Sequence, residues 1–272
     1  MTLSASQLQE LHPRLISLIR EAGEFAHNEF ISFSAQHIEY KGKNNMFSYV
    51  DVRTEEILKA GLSKLLPGAG FINEESDNQE GETDYTWIID PIDGTTNFIH
   101  GLPLFAICVA LEFQGQVVAG YIYEVAHDEM FWAIKGQGAF LNETSIQVSN
   151  TPQLSDGLLA TGFPYRQGPW YEDYLRLISH VLKETHGMRR LGSAAIDMAY
   201  VAAGRLDGFF ELGLNPWDVA AGALIVLEAG GRVSDFKGGD DYVYGRRIIA
   251  TNPSIHPEAL SLIKEKWVER DR

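Results

Sequence analysis

The most constraining stretch of this 272-residue chain is Trp87-Ile88-Ile89-Asp90-Pro91-Ile92-Asp93-Gly94-Thr95-Thr96-Asn97-Phe98. Its apolar opening reads as a buried strand that ends at Asp90. Pro91 fixes the backbone as the chain turns, and Gly94 permits dihedrals and close approach that a side chain forbids. Thr95 and Thr96 suit the start of a short helix, whose outward amides favour an anion. Two carboxylates, Asp90 and Asp93, then stand beside an anion-ready backbone and repel it and each other. A hard divalent cation removes that conflict, and all-oxygen ligands select Mg²⁺, Mn²⁺ or Ca²⁺ over zinc. The competing reading is an ordinary Asp-rich turn, but the whole string is far more specific than an Asp-x-x-Asp-Gly turn.

Three further segments place acids near element ends. Asn73-Glu74-Glu75-Ser76 follows the short strand of residues 70–73, so a glutamate there reaches Asp90 if the two strands are neighbours. In Asn215-Pro216-Trp217-Asp218-Val219-Ala220-Ala221-Gly222, Asn215 suits a helix cap and Pro216 the first helical position. Asp218 then lies in the first turn, where a carboxylate complements the helix dipole even without a metal. Asp51, in Ser48-Tyr49-Val50-Asp51, reads by default as the N-cap of a helix over residues 52–66.

Around these segments the chain is ordinary globular material, 45% hydrophobic and 22% charged. A net charge of −15 argues against nucleic acid or an anionic membrane surface as partner, since both need clustered Lys and Arg. It also means that an anionic substrate needs bound cations to neutralise it. The single cysteine, Cys108, lies in an apolar run and reads as a buried strand residue of a reduced, cytoplasmic protein. No apolar stretch reaches the roughly 18 residues of a membrane span, and no signal-peptide pattern opens the chain.

Periodicity predicts an amphipathic helix over residues 6–33, β-structure over 104–146, and helices near 169–183, 193–203, 216–229 and 256–267. Short strands are expected near 157–161, 206–211, 231–234 and 247–251. The expectation is a single unit, 1–272, with an N-terminal α+β lobe over 1–150 and a C-terminal α/β lobe over 151–272.

Taken together, the strings beginning at Trp87 and Trp217, about 120 residues apart, resemble the signatures of the inositol monophosphatase family of metal-dependent, lithium-sensitive phosphatases. The resemblance covers nearly the whole chain. It implies an α+β fold, a layered αβαβα sandwich, assembled as a homodimer. It implies that Glu74, Asp90 and the Ile92 carbonyl hold one Mg²⁺, and that Asp90, Asp93 and Asp218 hold a second. A third, weaker ion is expected near Glu74, with Mn²⁺ as a substitute and Li⁺ as an inhibitor. The implied reaction is in-line attack of metal-activated water on a phosphomonoester. Thr95, bonded to Asp51, orients and deprotonates that water, with Glu74 as the rival base. Gly94 and Thr95 amides bind the phosphate. Asp93, Gly192-Ser193-Ala194 and Glu211 meet the hydroxyls of a small phosphorylated polyol, with inositol monophosphate as the best single substrate.

Asn45 stands where an Asp is common in the family, which weakens a supporting contact near the third ion, and the basic turn Lys41-Gly42-Lys43 differs in detail. Fructose 1,6-bisphosphate, a nucleoside 3′,5′-bisphosphate and histidinol phosphate are the alternative substrates. A non-catalytic binding or regulatory protein on the same fold is the alternative from another class. A calcium-binding EF-hand fails for want of its loop, and no P-loop, Gly-x-Ser-x-Gly elbow or zinc-spaced histidine pair is present.

Overall fold

Leu8, Leu15, Ile19, Ala22 and Ala26 recur at helical spacing and fall on one buried face of α1 (Ala5–Ser32). Val50, Leu58 and Leu62 do the same for α2 (Tyr49–Leu65). The computed structural model describes residues 3, 5–33, 38–42, 45–163, 168 and 170–267. A short antiparallel pair, β1 (Ile38–Gly42) and β2 (Asn45–Ser48), joins the two helices. Lys43 and the side chains of residues 38–48 lie outside the described residues, and with them the predicted basic turn and the contact expected of Asn45.

Both helices cover one face of a seven-stranded sheet. Its strands lie in chain order: β3 (Gly70–Asn73), β4 (Tyr85–Asp93), β5 (Ala106–Phe113), β6 (Gln116–Glu124), β7 (Glu129–Ile134), β8 (Ala139–Leu141) and β9 (Thr144–Ile146). β3 runs parallel to β4, and every later pair is antiparallel. Alternation along β4 sends Trp87 and Ile89 to the α1/α2 side and Ile88 to the opposite core.

A second sheet of five strands has the order β11 (Gly187–Arg189), β10 (Leu158–Thr161), β12 (Gly208–Leu212), β14 (Arg247–Thr251), β13 (Arg232–Ser234). Between the sheets lie α5 (Ala194–Ala202) and α6 (Pro216–Glu228). Ala195, Met198, Ala220 and Ala223 pack there with Cys108 and Ile122 of the first sheet and Phe209 and Ile248 of the second. On the far face of the second sheet, α4 (Tyr171–Glu184) and α7 (His256–Lys266) bury Leu177, Val181 and Ile263 against Leu159, Phe210 and Ile249. Helix, sheet, helix, sheet, helix is the αβαβα sandwich that the sequence led us to expect.

Small residues make the middle layer thin. A Cβ on Gly120 would stand 2.8 Å from the Ala221 carbonyl oxygen and 3.0 Å from its Cα, so α6 lies directly on the β6 backbone. Gly222 gives Met198 of α5 the same close approach.

Three sequence expectations change. α2 starts at Tyr49, so Asp51 lies inside its first turn and is not the N-cap. β4 does not stop at Asp90 but continues to Asp93. β11 was not foreseen, because three residues between polar flanks leave no periodicity to read.

A methyl group at Gly120 has only the α6 backbone to displace. We expect Gly120→Ala to cost about 1–3 kcal/mol, the usual range for overpacking, in urea unfolding. An unchanged midpoint would show that α6 is not seated this closely.

Candidate metal and phosphate site

β4 carries an irregularity that sets the site. Asp90 pairs with Cys108 and Asp93 with Ala106, so a step of three on β4 faces a step of two on β5. In a regular strand residues three apart point to opposite faces, but the extra residue returns Asp93 to the face that Asp90 uses. Cys108 and Ala106, their partners, both belong to the middle core, which fixes that face as the α5/α6 side.

α6 brings Asp218 to the same place. Its first turn starts at Pro216, and Asp218 Oδ2 accepts the Asn215 amide at 2.6 Å, so Asp218 helps close the start of the helix as well as joining the acids. Oxygen atoms of Asp90, Asp93 and Asp218 all lie within 4.8 Å of one another. Glu74, one residue past β3 and beside β4, lies close enough to Asp90 for the two carboxyl groups to act directly on one another. Two acid sets thus meet at Asp90: Glu74 with Asp90, and Asp90 with Asp93 and Asp218.

Each acid is also held from behind. Asp90 Oδ1 accepts the Ile92 amide at 2.9 Å. Asp93 Oδ2 accepts from the Ser193 hydroxyl and the Ala195 amide, both at 2.6 Å, and so sits on the N-terminus of α5. Ser193 in turn caps that helix, taking the Ile196 amide at 3.1 Å. The single Thr95 hydroxyl proton is shared between two acceptors, Asp51 Oδ1 at 3.2 Å and the Ile92 carbonyl at 3.0 Å. Gly94 precedes Thr95 with φ 100°, and a Cβ there would stand 3.0 Å from the Leu104 carbonyl oxygen. Only glycine makes this turn into α3 (Thr95–Ile99) without strain.

The candidate residues therefore converge. Asp51, Glu74, Asp90, Ile92, Asp93, Gly94, Thr95 and Asp218 surround one acid cluster. Gly192-Ser193-Ala194 adjoins it through Asp93, and the Ala194 amide also reaches that carboxylate. Glu211, buried in β12, packs against Gly162, where a Cβ would overlap its carboxyl group. It feels the charges of Asp218 and Asp93 without belonging to the cluster.

Two positions escaped the sequence reading. Glu55, almost fully buried in α2, accepts the Glu75 amide at 2.9 Å and so fixes the loop that carries Glu74. It lies four residues after Asp51 on the same helix face, a spacing that could have revealed it. Asn97 bridges the halves of the chain, donating to the Leu104 carbonyl at 2.7 Å and the Leu191 carbonyl at 2.8 Å.

Burial and mutual repulsion dominate the electrostatics. Burial pushes Glu74 and Asp90 well above the usual carboxylate range, and neighbouring acids push them further. Asp93 is raised by burial too, against the pull of the Ser193 and α5 donors. Asp218 is pushed up to about 7 by burial and by Asp93. Such a set suits a hard divalent cation: every donor is oxygen, and Glu74 and Asp90 must otherwise share a proton. The arrangement can hold cations beside an anion and place a hydroxyl, Thr95, within reach of a carboxylate base.

Acids whose pKa values are raised by folding add stability below the ordinary carboxylate pKa, near 4, and lose it as pH rises through the folded value. With Asp218 near 7, the metal-free chain is expected to lose thermal stability steadily from about pH 5 to pH 8. Millimolar Mg²⁺ is expected to flatten that slope, because bound cations replace the protons. Melting curves across this range, with EDTA and with Mg²⁺, check both; parallel slopes would remove the cation reading.

Comparison with known proteins agrees with this geometry. The model of the inositol monophosphatase family matches residues 7–268. An inositol-1-monophosphatase of Mesorhizobium japonicum is 43% identical over 252 residues, covering 92% of this chain and 95% of that protein. The Nus factor SuhB of Escherichia coli is 40% identical over 260 residues, covering 94% of this chain and 97% of the relative. Among solved structures, the extragenic suppressor protein suhB of Bartonella henselae is 41% identical, superposes with a TM-score of 0.89, and is covered to 99% by 94% of this chain. The chain belongs to the inositol monophosphatase family and is a metal-dependent phosphatase.

Proposed function

We propose that this inositol monophosphatase family member uses Mg²⁺ to hydrolyse the phosphomonoester of a small polyol, with inositol monophosphate as substrate. The observation that carries the reading is the meeting of two acid sets at Asp90, beside Thr95 and within the field of Glu211. Glu74, Asp90 and the Ile92 carbonyl would hold one cation, and Asp90, Asp93 and Asp218 another, with a third weaker ion near Glu74. Bound divalent cations would acidify the attacking water and neutralise charge on the phosphate and the departing oxygen. Mn²⁺ fits the same oxygen donors, and Li⁺ inhibition follows from the family likeness.

The chain's own residues supply the rest. A water proton passes to Thr95 Oγ1 as the Thr95 proton moves to Asp51, whose Oδ1 lies 3.2 Å away and is the one of its two acceptors that can take it up. Glu74 is the alternative base. Backbone amides of Gly94 and Thr95, at the left-handed turn, face the phosphate. Asp93, the Gly192-Ser193-Ala194 segment and Glu211 take the polyol, where an ionised carboxylate accepts bonds from adjacent hydroxyls. The protein works as a homodimer in the cytoplasm in this reading; among the described residues no helix is long and apolar enough to cross a membrane.

Relatives named Nus factor, 40% identical, motivate a second reading in which the chain is a regulatory binding partner. The two readings separate in one assay of phosphate release. The panel is inositol monophosphate, fructose 1,6-bisphosphate, adenosine 3′,5′-bisphosphate and histidinol phosphate, each with Mg²⁺ and with EDTA. Release from inositol monophosphate is expected only with Mg²⁺, with a loss of at least a hundredfold in Asp93→Asn, typical of removing a charge-stabilising group. Preference for another compound keeps the chemistry and overturns the substrate. A folded chain that binds Mg²⁺ but turns over nothing supports the regulatory reading.

Asp51 gives a separate test of the proton path. Asp51→Asn is expected to lower kcat by about 10²–10⁴-fold, the usual contribution of a positioned base, with little change in the Mg²⁺ concentration needed for half activity. A shift in metal requirement with kcat retained would make Asp51 part of the cation site instead.

A further inference from the structure

An arginine that is neither a candidate ligand nor part of the sequence signatures grips the loop that leads into α6. Arg246 stands just before β14 and is exposed, yet both terminal nitrogens of its guanidinium turn inward. Nη1 donates to Asn215 Oδ1 at 2.9 Å and Nη2 to the Gly213 carbonyl at 2.7 Å. The Gly213 amide returns a bond to the Arg246 carbonyl at 2.7 Å, so the contact closes on itself. Arg246 holds φ 62°, in the left-handed region that residues other than glycine seldom occupy. The pairing of β12 with β14, with Leu212 opposite Arg247, brings the two loops together.

The two gripped atoms flank the peptide that holds Asp218. The Gly213 carbonyl lies just before the Leu214–Asn215 peptide and the Asn215 side chain just after it. The amide of that peptide is the donor that Asp218 Oδ2 accepts at 2.6 Å. A planar fork with two donors fixes both position and orientation, which a single flexible ammonium does not. Arg246, Asn215 and Asp218 therefore form a continuous hydrogen-bonded series from the surface to the acid cluster. Partners of this kind behind a metal ligand help set how tightly the ion is held.

Resting on the cation reading above, we propose that Arg246 is a positioning residue for the second cation: its grip on Gly213 and Asn215 holds the Asp218 carboxylate towards Asp90 and Asp93, and so raises the affinity of that set for its ion. The charge of Arg246 works against this role. It reaches Asp218 and repels a divalent ion bound there, so charge alone would make the second ion bind more tightly once Arg246 is removed. The grip predicts the reverse. The other ion, at Glu74, Asp90 and the Ile92 carbonyl, draws no ligand from the α6 loop and is expected to keep its affinity.

The test titrates the metal-free full chain with Mn²⁺ and follows bound ions by electron paramagnetic resonance, so the outcome does not depend on which compound is turned over. Asp218→Asn identifies the ion concerned, because only that site draws on Asp218. Arg246→Lys keeps the charge and loses the fork; it should weaken that same ion about tenfold, the low end for a partner behind a ligand, and leave the other ion unchanged. Arg246→Met should weaken it too, despite the repelling charge removed. Combining Arg246→Lys with Asn215→Ala should cost less than the two losses added, since both break one series. Unchanged affinity in Arg246→Lys, or tighter binding in Arg246→Met, overturns the proposal. So does a raised KM for inositol monophosphate with metal binding intact, which would make Arg246 a substrate contact. Equal weakening of both ions with a lowered melting temperature overturns it as well, in favour of a merely structural role. A wild type that binds no Mn²⁺ at the acid cluster overturns the cation reading and this inference with it, a result distinct from any that the variants give.

Discussion

Repulsion among buried and half-buried acids is the constraint on which this structure depends. Glu74, Asp90, Asp93 and Asp218 converge from the end of β3, from β4 and from the first turn of α6, and the charges of Glu74, Asp93 and Asp218 all raise the proton affinity of Asp90. Such a cluster is a standing cost to the fold unless a cation, a proton or a helix dipole offsets it. The chain offsets part of it internally, through the N-terminus of α5 on Asp93 and the Asn215 amide on Asp218. What remains is the negative charge that a metal-dependent phosphatase needs to hold cations in front of an anionic substrate, in a protein whose own net charge repels that substrate.

The scaffold exists to bring those acids together. The bulge in β4 turns Asp93 back to the side of Asp90, and glycine at positions 120 and 222 lets α6 lie close enough to deliver Asp218. α2 serves the same end from the outer layer, with Asp51 under Thr95 and Glu55 under the Glu74 loop, one helical turn apart. Strand, bulge and two helices therefore act as one positioning device, and Asn97 ties it to the segment that precedes α5.

Most of this was legible in the sequence because it is written locally. The apolar triplet before Asp90, the Asn-Pro-x-Asp start of α6 and the helical spacing of α1 are each set by neighbours within a turn or two. Family likeness joined those pieces into one site, which no local argument could do. What stayed hidden depends on distant partners. Asp51 looks like a cap until Thr95, 44 residues away, is placed beside it. The bulge shows only in the register against β5, and the burial of Asp197 only once α5 is enclosed between two sheets. The three-residue β11 exists through its pairing with β10 and has no signal of its own.

Cations filling the two acid sets that share Asp90 are what would give this cluster its function. The most direct measurement is anomalous diffraction from crystals of this chain soaked in Mn²⁺, which scatters where Mg²⁺ is hard to see. Two peaks are expected, one between Glu74, Asp90 and the Ile92 carbonyl, and one among Asp90, Asp93 and Asp218. No peak at these carboxylates at millimolar Mn²⁺ would contradict the account, leaving the acid cluster without the role that explains its burial.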